Sequence, residues 1–149
     1  MTLLEEILAK CSPDQLRPEN RDDGAIAALV SKDRTTLVSK FIGKAEITHA
    51  LGIMEGAVFL LKLRYAANQP IPANATDQQV AAQAMIDQAW SMVDNKELDA
   101  GTTQAQQAID MFVGPLLTKD QGDKIKALAR VDDPVSPQEV AKALEGYAP

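Results

Sequence analysis

Residues 54–67 read MEGAVFLLKLRYAA and include the most apolar run of the chain. Apolar side chains recur on nearly every side of the predicted helix, among them Val58, Phe59 and Leu63, and this pattern is typical of a helix buried at the centre of a protein. The apolar run is too short to cross a bilayer, and Lys62 interrupts it. We therefore expect a central, buried helix against which other helices pack, and no membrane span.

Helix signals occur on both sides of this stretch. Thr2 and Glu5 form a predicted capping box, and Ser136 followed by Pro137 is typical of a helix start. Further helices are predicted to begin after Asp22 or Asp23, after Gly43, after Thr76, after Thr102 or Thr103, and after Thr118. Only 4% of the residues are aromatic, so the core must consist mainly of aliphatic side chains. These features predict a mainly all-α fold, a compact bundle of about six to eight short helices.

The segment Thr35–Ile42 differs from the rest because it is rich in β-branched residues. It predicts either one short strand or an extended connector near residues 35–42. An isolated strand needs a partner, and no second strand is obvious in the sequence. We therefore expect the partner on another subunit or another protein. The candidate interaction residues are Thr36, Val38, Lys40, Phe41 and Ile42.

The chain, residues 1–149, is predicted to form a single helical domain. Its clearest helix breaker lies at residues 68–76, where Pro70 and Pro72 favour an extended connection. This segment is the one candidate for a subdomain break. Cys11 is the only cysteine, so no intramolecular disulfide can form, and we expect a buried structural thiol.

The composition and motifs argue against several classes of function. A net charge of −6 makes nucleic-acid binding unfavourable, because phosphate contacts require a basic surface. Cys11 and the single histidine, His49, cannot build a zinc site on their own. Phosphate-loop, dinucleotide-binding and nucleophile-elbow motifs do not occur. We therefore predict a non-enzymatic protein with no catalytic residue, no metal and no cofactor. The enzyme alternative would need His49 in a pocket with Glu46 or Glu55.

A helix-turn-helix is the second alternative. Residues 46–58 have its rhythm of apolar positions around Gly52. The second helix, however, offers Met54, Glu55 and Phe59 where base recognition needs basic or amide side chains. A regulatory or DNA-associated role would require a basic patch on this corner, formed by Lys40, Lys44, Lys62 and Arg64.

Several short motifs along the chain resemble those of small, mostly uncharacterised proteins of tailed bacteriophages, encoded near tail or other virion genes. The motifs are Asp33-Arg34-Thr35, Ile42-Gly43, Ile47, Leu51-Gly52, Leu98-Asp99-Ala100-Gly101, Leu117-Thr118, Lys126-Ala127-Leu128-Ala129 and Asp133-Pro134-Val135-Ser136. The similarity spans most of the chain. The Pro70–Ala75 stretch and the Lys44-Ala45 pair depart from the family pattern.

The resemblance implies a bacteriophage virion or tail-associated structural protein that acts through protein–protein contacts. Its partners would be itself or other phage virion proteins. It would reside in the virion after assembly in the host cytoplasm. The family has no assigned catalytic residues, so the resemblance assigns none to this chain.

Overall fold

The computed structural model describes residues 1–148 and confirms the mainly α-helical fold. Eight α-helices occur in this described part of the chain, together with four strands of two or three residues each. The helices are α1 (Leu3–Lys10), α2 (Asp23–Ser31), α3 (Lys44–Leu51), α4 (Ile53–Ala67), α5 (Asp77–Asp94), α6 (Thr103–Phe112), α7 (Lys119–Lys126) and α8 (Pro137–Ala143). The strands are β1 (Thr35–Leu37), β2 (Phe41–Ile42), β3 (Leu98–Asp99) and β4 (Arg130–Asp132).

The chain forms two compact units. Unit 1 contains Met1–Thr36 and the segment from Val131 onward, whereas unit 2 contains Leu37–Arg130. The proline-containing segment 68–76 lies inside unit 2, where it connects α4 to α5. Proline marks a local break in a helix. The boundary of a compact unit depends instead on which distant segments share a core, and local sequence signals do not report which segments these are.

Unit 1 is built from α1, α2 and α8 around its own apolar core. Ile7, Val30 and Val140 are fully buried there, and the thiol of Cys11 is buried among them as expected. Burial raises the pKa of this thiol, which keeps it protonated and unreactive. The guanidinium of Arg34 links the two segments of the unit, because it donates hydrogen bonds to Glu6 Oε2 at 2.9 Å and to Asp133 Oδ2 at 2.7 Å.

Unit 2 contains α3 to α7 and a larger apolar core. Ile42, Ile47, Leu63 and Ile125 are almost completely buried there. Trp90, on α5, is half-buried and packs against this core. The core thus relies on aliphatic side chains, as the low aromatic content predicts.

The predicted strand region becomes two short strands with partners in the same chain. β1 pairs with β4, and β2 pairs antiparallel with β3, with Phe41 opposite Asp99 and Ile42 opposite Leu98. The expectation that the partner strand lies on another molecule is therefore corrected. β3 and β4 are too short to produce an alternating pattern in the sequence, which is why no partner was evident.

Helix α4 departs from the predicted burial. Gly56, Phe59, Leu63 and Ala67 are buried, but the opposite side of the helix faces solvent. The expectation of a helix buried on all sides is therefore wrong. The helix is apolar on several sides, but neighbouring helices cover only one of its faces.

Candidate functional site

The most conspicuous surface feature of unit 2 is a row of exposed apolar side chains on α4, which we call the α4 stripe. It consists of Met54, Val58, Leu61 and Tyr65, which are 83%, 52%, 67% and 71% exposed. Their spacing of four, three and four residues places them on one face of a helix with about 3.6 residues per turn. The row is about 16 Å long at the usual helical rise. Ile53, 80% exposed, extends the apolar surface at the start of the helix.

The buried face of α4 holds the stripe in a fixed position. Phe59 and Leu63 anchor the helix in the core of unit 2. Gly56 faces α3, where a Cβ atom would lie only 2.8 Å from the Cα atom of Thr48. Glycine is therefore needed for the close approach of α3 and α4, which are joined by the single residue Gly52 with φ of 92°.

A shallow groove runs along each side of the stripe. One groove is lined by Leu60, Leu61, Arg64 and Asn68 of α4 and by Lys44, Trp90 and Asp94. The other is lined by Met54, Glu55, Val58, Phe59 and Lys62 of α4 and by Leu116 and Gln121. The stripe is thus a ridge between two grooves, a shape that suits packing against another helix.

Charged residues flank the ridge. Glu55 accepts a hydrogen bond from Gln121 Nε2 at 3.1 Å on the exposed surface. Arg64 lines the groove on the opposite side of α4. Within the described residues, the ion pairs of unit 2 involve neither Glu55 nor Arg64. Both charges are therefore exposed and have no ionic partner among residues 1–148.

The predicted interaction segment divides into exposed and buried residues. Thr36, Val38, Lys40 and Phe41 are exposed, and Phe41 is 55% exposed. Ile42 is instead completely buried in the core of unit 2. Its place in the predicted interaction set is therefore corrected: Ile42 anchors the segment, because alternation along β2 turns it away from the exposed side of Phe41.

The loop before β2 is held by Asp99. Its carboxylate accepts hydrogen bonds from Ser39 Oγ at 2.7 Å, from the Lys40 amide at 2.9 Å and from the Gly101 amide at 3.0 Å. The hydrogen bond from Ser39 is the main reason why the pKa of Asp99 lies below its usual value, and the two amide hydrogen bonds lower it further. Gly101 has no room for a Cβ atom beside the carbonyl group of Val38. Asp99 and Gly101, which belong to the motif Leu98-Asp99-Ala100-Gly101, thus have structural roles in this loop.

The depression that contains His49 is lined by neither carboxylate of the enzyme alternative. His49 is exposed and lies in a shallow depression with Lys44, Ala45, Thr48, Gly52 and Ile53. Glu46 is engaged by Lys96 Nζ at 3.1 Å, and the hydrogen bond from Lys96 lowers the pKa of this carboxyl. Glu55 lines the groove on the side of α4 that faces Gln121. His49 therefore shares its depression with neither carboxylate.

Three of the four basic residues of the DNA-binding alternative line two different grooves. Lys44 and Arg64 line one groove, and Lys44 pairs with Asp94 at 2.8 Å. Lys62 lines the groove on the other side of α4. The positive charge on this corner is therefore divided between two grooves.

A third groove, which is mainly apolar, lies between α5 and α6. Its lining includes Met85, Met92, Leu98 and Met111, and Met111 is 58% exposed. Flexible methionine side chains adapt to varied apolar surfaces, so this groove is a secondary candidate for protein contact.

Residues 1–148 contain neither a cluster of metal-binding side chains nor a helix suited to span a membrane. No group of three or more histidine, cysteine, aspartate or glutamate side chains is arranged to hold a metal ion in this part of the chain. None of its helices combines the length and the apolar character needed to traverse a membrane.

Sequence reasoning identified α4 as the most apolar helix but did not identify its exposed side. The signal for the stripe was present: Met54, Val58, Leu61 and Tyr65 already have the spacing of one helical face. Gly56, Phe59 and Leu63 have the spacing of the opposite face of the helix, which is the buried one. Two apolar faces on one helix predict two packing surfaces, one inside the unit and one outside it.

The candidate site is therefore the exposed ridge of α4, with Val38, Lys40 and Phe41 as a second group of exposed residues that were predicted from the sequence. Comparisons with known proteins assign no family to this arrangement, because no protein-family model, curated protein or solved structure matches the chain.

Proposed function

We propose that this protein is a non-enzymatic structural component that acts through protein–protein contacts, and that the α4 stripe is its principal contact surface. The observation that carries the proposal is the row of four apolar side chains, each more than half exposed. Contiguous apolar surface of this kind often marks a protein interaction site. The resemblance to small tailed-phage proteins supports a place in the virion or tail, with itself or other virion proteins as partners.

The physical basis of the proposal is the free energy of removing apolar surface from water. Fully burying a Val, Leu or Met side chain contributes roughly 1.5–3 kcal/mol. Tyr65 adds an aromatic ring and a hydroxyl group, a combination common at contact residues that dominate binding. The exposed side chains of Val38 and Phe41 offer a second, smaller contact area.

The test is incorporation of the chain into purified particles from the strain that encodes it. We expect the parent chain to co-purify with particles, and Leu61→Asp to reduce its incorporation by about tenfold, because a charge at the centre of an apolar contact must be desolvated. The matched control is Val80→Asp, which places the same charge at a 40% exposed apolar position on α5. Purified particles that contain no parent chain would contradict the virion role, and equal incorporation of both variants would contradict the role of the stripe.

A further inference from the structure

The groove between α5 and α6, which we call the methionine groove, is a surface of unit 2 that shares no residue with the α4 stripe. We propose that the methionine groove binds an amphipathic helix of another protein, which carries large apolar side chains on one face and lysine or arginine residues at one end. This inference goes beyond the proposed function, because it concerns a different surface and does not require a place in the virion.

The walls of the groove are faces of two helices. Met85, Ala89 and Met92 of α5 recur at intervals of four and three residues, so they share one helical face over about 10 Å. Ala108 and Met111 line the groove from α6. The groove has a volume of about 430 Å³. A groove between two helices accepts the side-chain ridge of a third helix, which favours a helical occupant over an extended one.

Small side chains occupy the centre of the groove. Ala89, Ala105 and Ala108 line it, and the same three alanines border a void of about 30 Å³ in the core of unit 2. The residues around this void are all apolar. A large apolar side chain of the occupant, seated over the alanines, would gain the dispersion contacts that the void leaves unmade.

Methionine is concentrated at this surface. Three of the five methionines of the chain line the groove. Met85 and Met92 are half-buried, whereas Met111 is 58% exposed. Methionine is unbranched and polarisable, and methionine-rich surfaces re-pack around the apolar faces of helical ligands. This composition supports an apolar helical face as the ligand.

Among residues 1–148, the charged side chains that line the groove are both acidic. Glu97 and Asp99 lie at the end of the groove where α5 stops and α6 begins. Glu97 is exposed and has no ion-pair partner in this part of the chain. Asp99 accepts its three hydrogen bonds from a hydroxyl and two amides, which stabilise its charge without neutralising it. Basic residues at one end of the occupant complement both carboxylates.

The charge balance of the chain argues against a second copy as the occupant. With a formal net charge of −6, two copies repel each other at long range, whereas a basic partner is attracted. The nearby lysines do not change the sign of the groove. Lys96 pairs with Glu46 at 3.1 Å. Lys40 binds Asp99 through its backbone amide, and its side chain is not part of the lining.

The experiment measures the binding of synthetic peptides to the full chain by fluorescence anisotropy at low ionic strength. The probe is a labelled helical peptide of about 15 residues, with leucines on one face and lysines clustered at its N-terminal or C-terminal end. We expect one of these two peptides to bind with a dissociation constant of about 10 μM. The same peptide with glutamates in place of its lysines should bind about tenfold more weakly. A scrambled peptide of the same composition controls for non-specific attraction to the acidic chain.

Two variants of the chain test the location. Met111→Ser removes part of the apolar wall and should weaken binding of the lysine peptide about tenfold. Glu97→Lys should weaken binding of the lysine peptide about fivefold and strengthen binding of the glutamate peptide, an exchange that a damaged fold would not produce. The controls are Glu145→Lys, which makes the same charge change at an exposed position of unit 1, and Leu61→Asp in the α4 stripe. Both controls should bind like the parent, and circular dichroism verifies the fold of every variant.

Several results would overturn the inference. A parent chain that binds neither lysine peptide, or that binds the lysine, glutamate and scrambled peptides equally, contradicts a basic amphipathic ligand. Unchanged binding in Met111→Ser and Glu97→Lys, or weaker binding in Leu61→Asp, places the peptide on another surface. Self-association of the parent that Met111→Ser abolishes would identify a second copy as the occupant instead. A chain that shows the expected peptide binding but never enters particles supports the methionine groove and overturns only the virion role.

Discussion

At the scale of single residues, Arg34 joins the two segments of unit 1. Its guanidinium donates to Glu6 of α1 and to both the side chain and the backbone carbonyl of Asp133. The Arg34 and Glu6 side chains are only 24% and 20% exposed, so solvent screens this pair less than a surface pair. The hydrogen bond from Arg34 is the main cause of the lowered pKa of Glu6.

This lowered pKa predicts how stability depends on pH. Because the folded-state pKa of Glu6 lies below its ordinary value of 4.5, the pair stabilises unit 1 above that value. The contribution is lost as pH falls through the folded-state pKa. We expect Arg34→Ala to lower the free energy of unfolding by roughly 1–2 kcal/mol at pH 7 and by much less at pH 3. Urea unfolding followed by circular dichroism at both pH values measures the difference.

The control for this prediction is Arg17→Ala. Arg17 pairs with Asp14 at 3.4 Å, but their side chains are 56% and 77% exposed, so its removal should change stability little at either pH. A loss of stability for Arg34→Ala that is equally large at pH 3 and pH 7 would show that the arginine acts through packing and not through its ion pairs.

The residue scale is also where the sequence was most informative. Thr2, Thr76 and Thr118 form capping boxes at the starts of α1, α5 and α7, and Ser136 caps α8. The sequence predicted the capping box at Thr2 and the helix starts at Thr76, Thr118 and Ser136. Capping depends on residues within one turn of a helix, so a local pattern is sufficient to find it.

At the scale of elements, α4 shows what periodicity can and cannot decide. Its helical state and approximate ends were predicted, but the prediction that it is buried on all sides was wrong, because an apolar residue can face a neighbouring helix or solvent. The short strands illustrate a second limit. β2 lies opposite β3, and a pairing of two residues on each strand leaves no recognisable pattern. The candidate site therefore required the structure, although Val58 of the stripe was among the apolar residues from which the helix was predicted.

The contact between α3 and α4 yields the prediction that belongs to this scale. Gly56→Ala should improve the intrinsic helix propensity of α4 by about 1 kcal/mol. The added methyl group, however, meets the backbone of α3 at Thr48, and backbone cannot move aside as a flexible side chain can. We expect a net loss of stability of roughly 1–3 kcal/mol, measured as a lower melting temperature by circular dichroism.

Gly24→Ala is the matched control for the helix-propensity gain. Gly24 lies in α2, and a Cβ atom there meets only the side-chain oxygen of Asp22, at 3.3 Å. This substitution should leave stability unchanged or raise it slightly. A stabilising effect of Gly56→Ala equal to that of Gly24→Ala would contradict the close packing of α3 and α4.

At the scale of the whole molecule, the division into two units follows from long-range pairing of sequence segments. Unit 1 joins the first 36 residues to the segment from Val131 onward, and its core brings Ile7 together with Val140. No local signal reports such a closure, whereas Pro70 and Pro72 give a strong local signal inside unit 2. A break in the helical pattern and a boundary between cores are thus different features of a chain.

Separate cores predict separate responses to core substitutions. Leu144 is 2% exposed in unit 1, and Leu63 is 1% exposed in unit 2. Replacing either leucine with alanine should cost about 2–5 kcal/mol in the unit that contains it.

Trp90 is the only tryptophan and packs against the core of unit 2, so its fluorescence reports unit 2, whereas circular dichroism reports the helices of both units. Leu144→Ala should therefore lower the unfolding midpoint of unit 1, seen as an earlier first part of the circular dichroism transition, and leave the fluorescence midpoint of Trp90 unchanged. Leu63→Ala should lower the fluorescence midpoint. Equal shifts of both signals in both variants would mean that the two cores unfold as one cooperative unit.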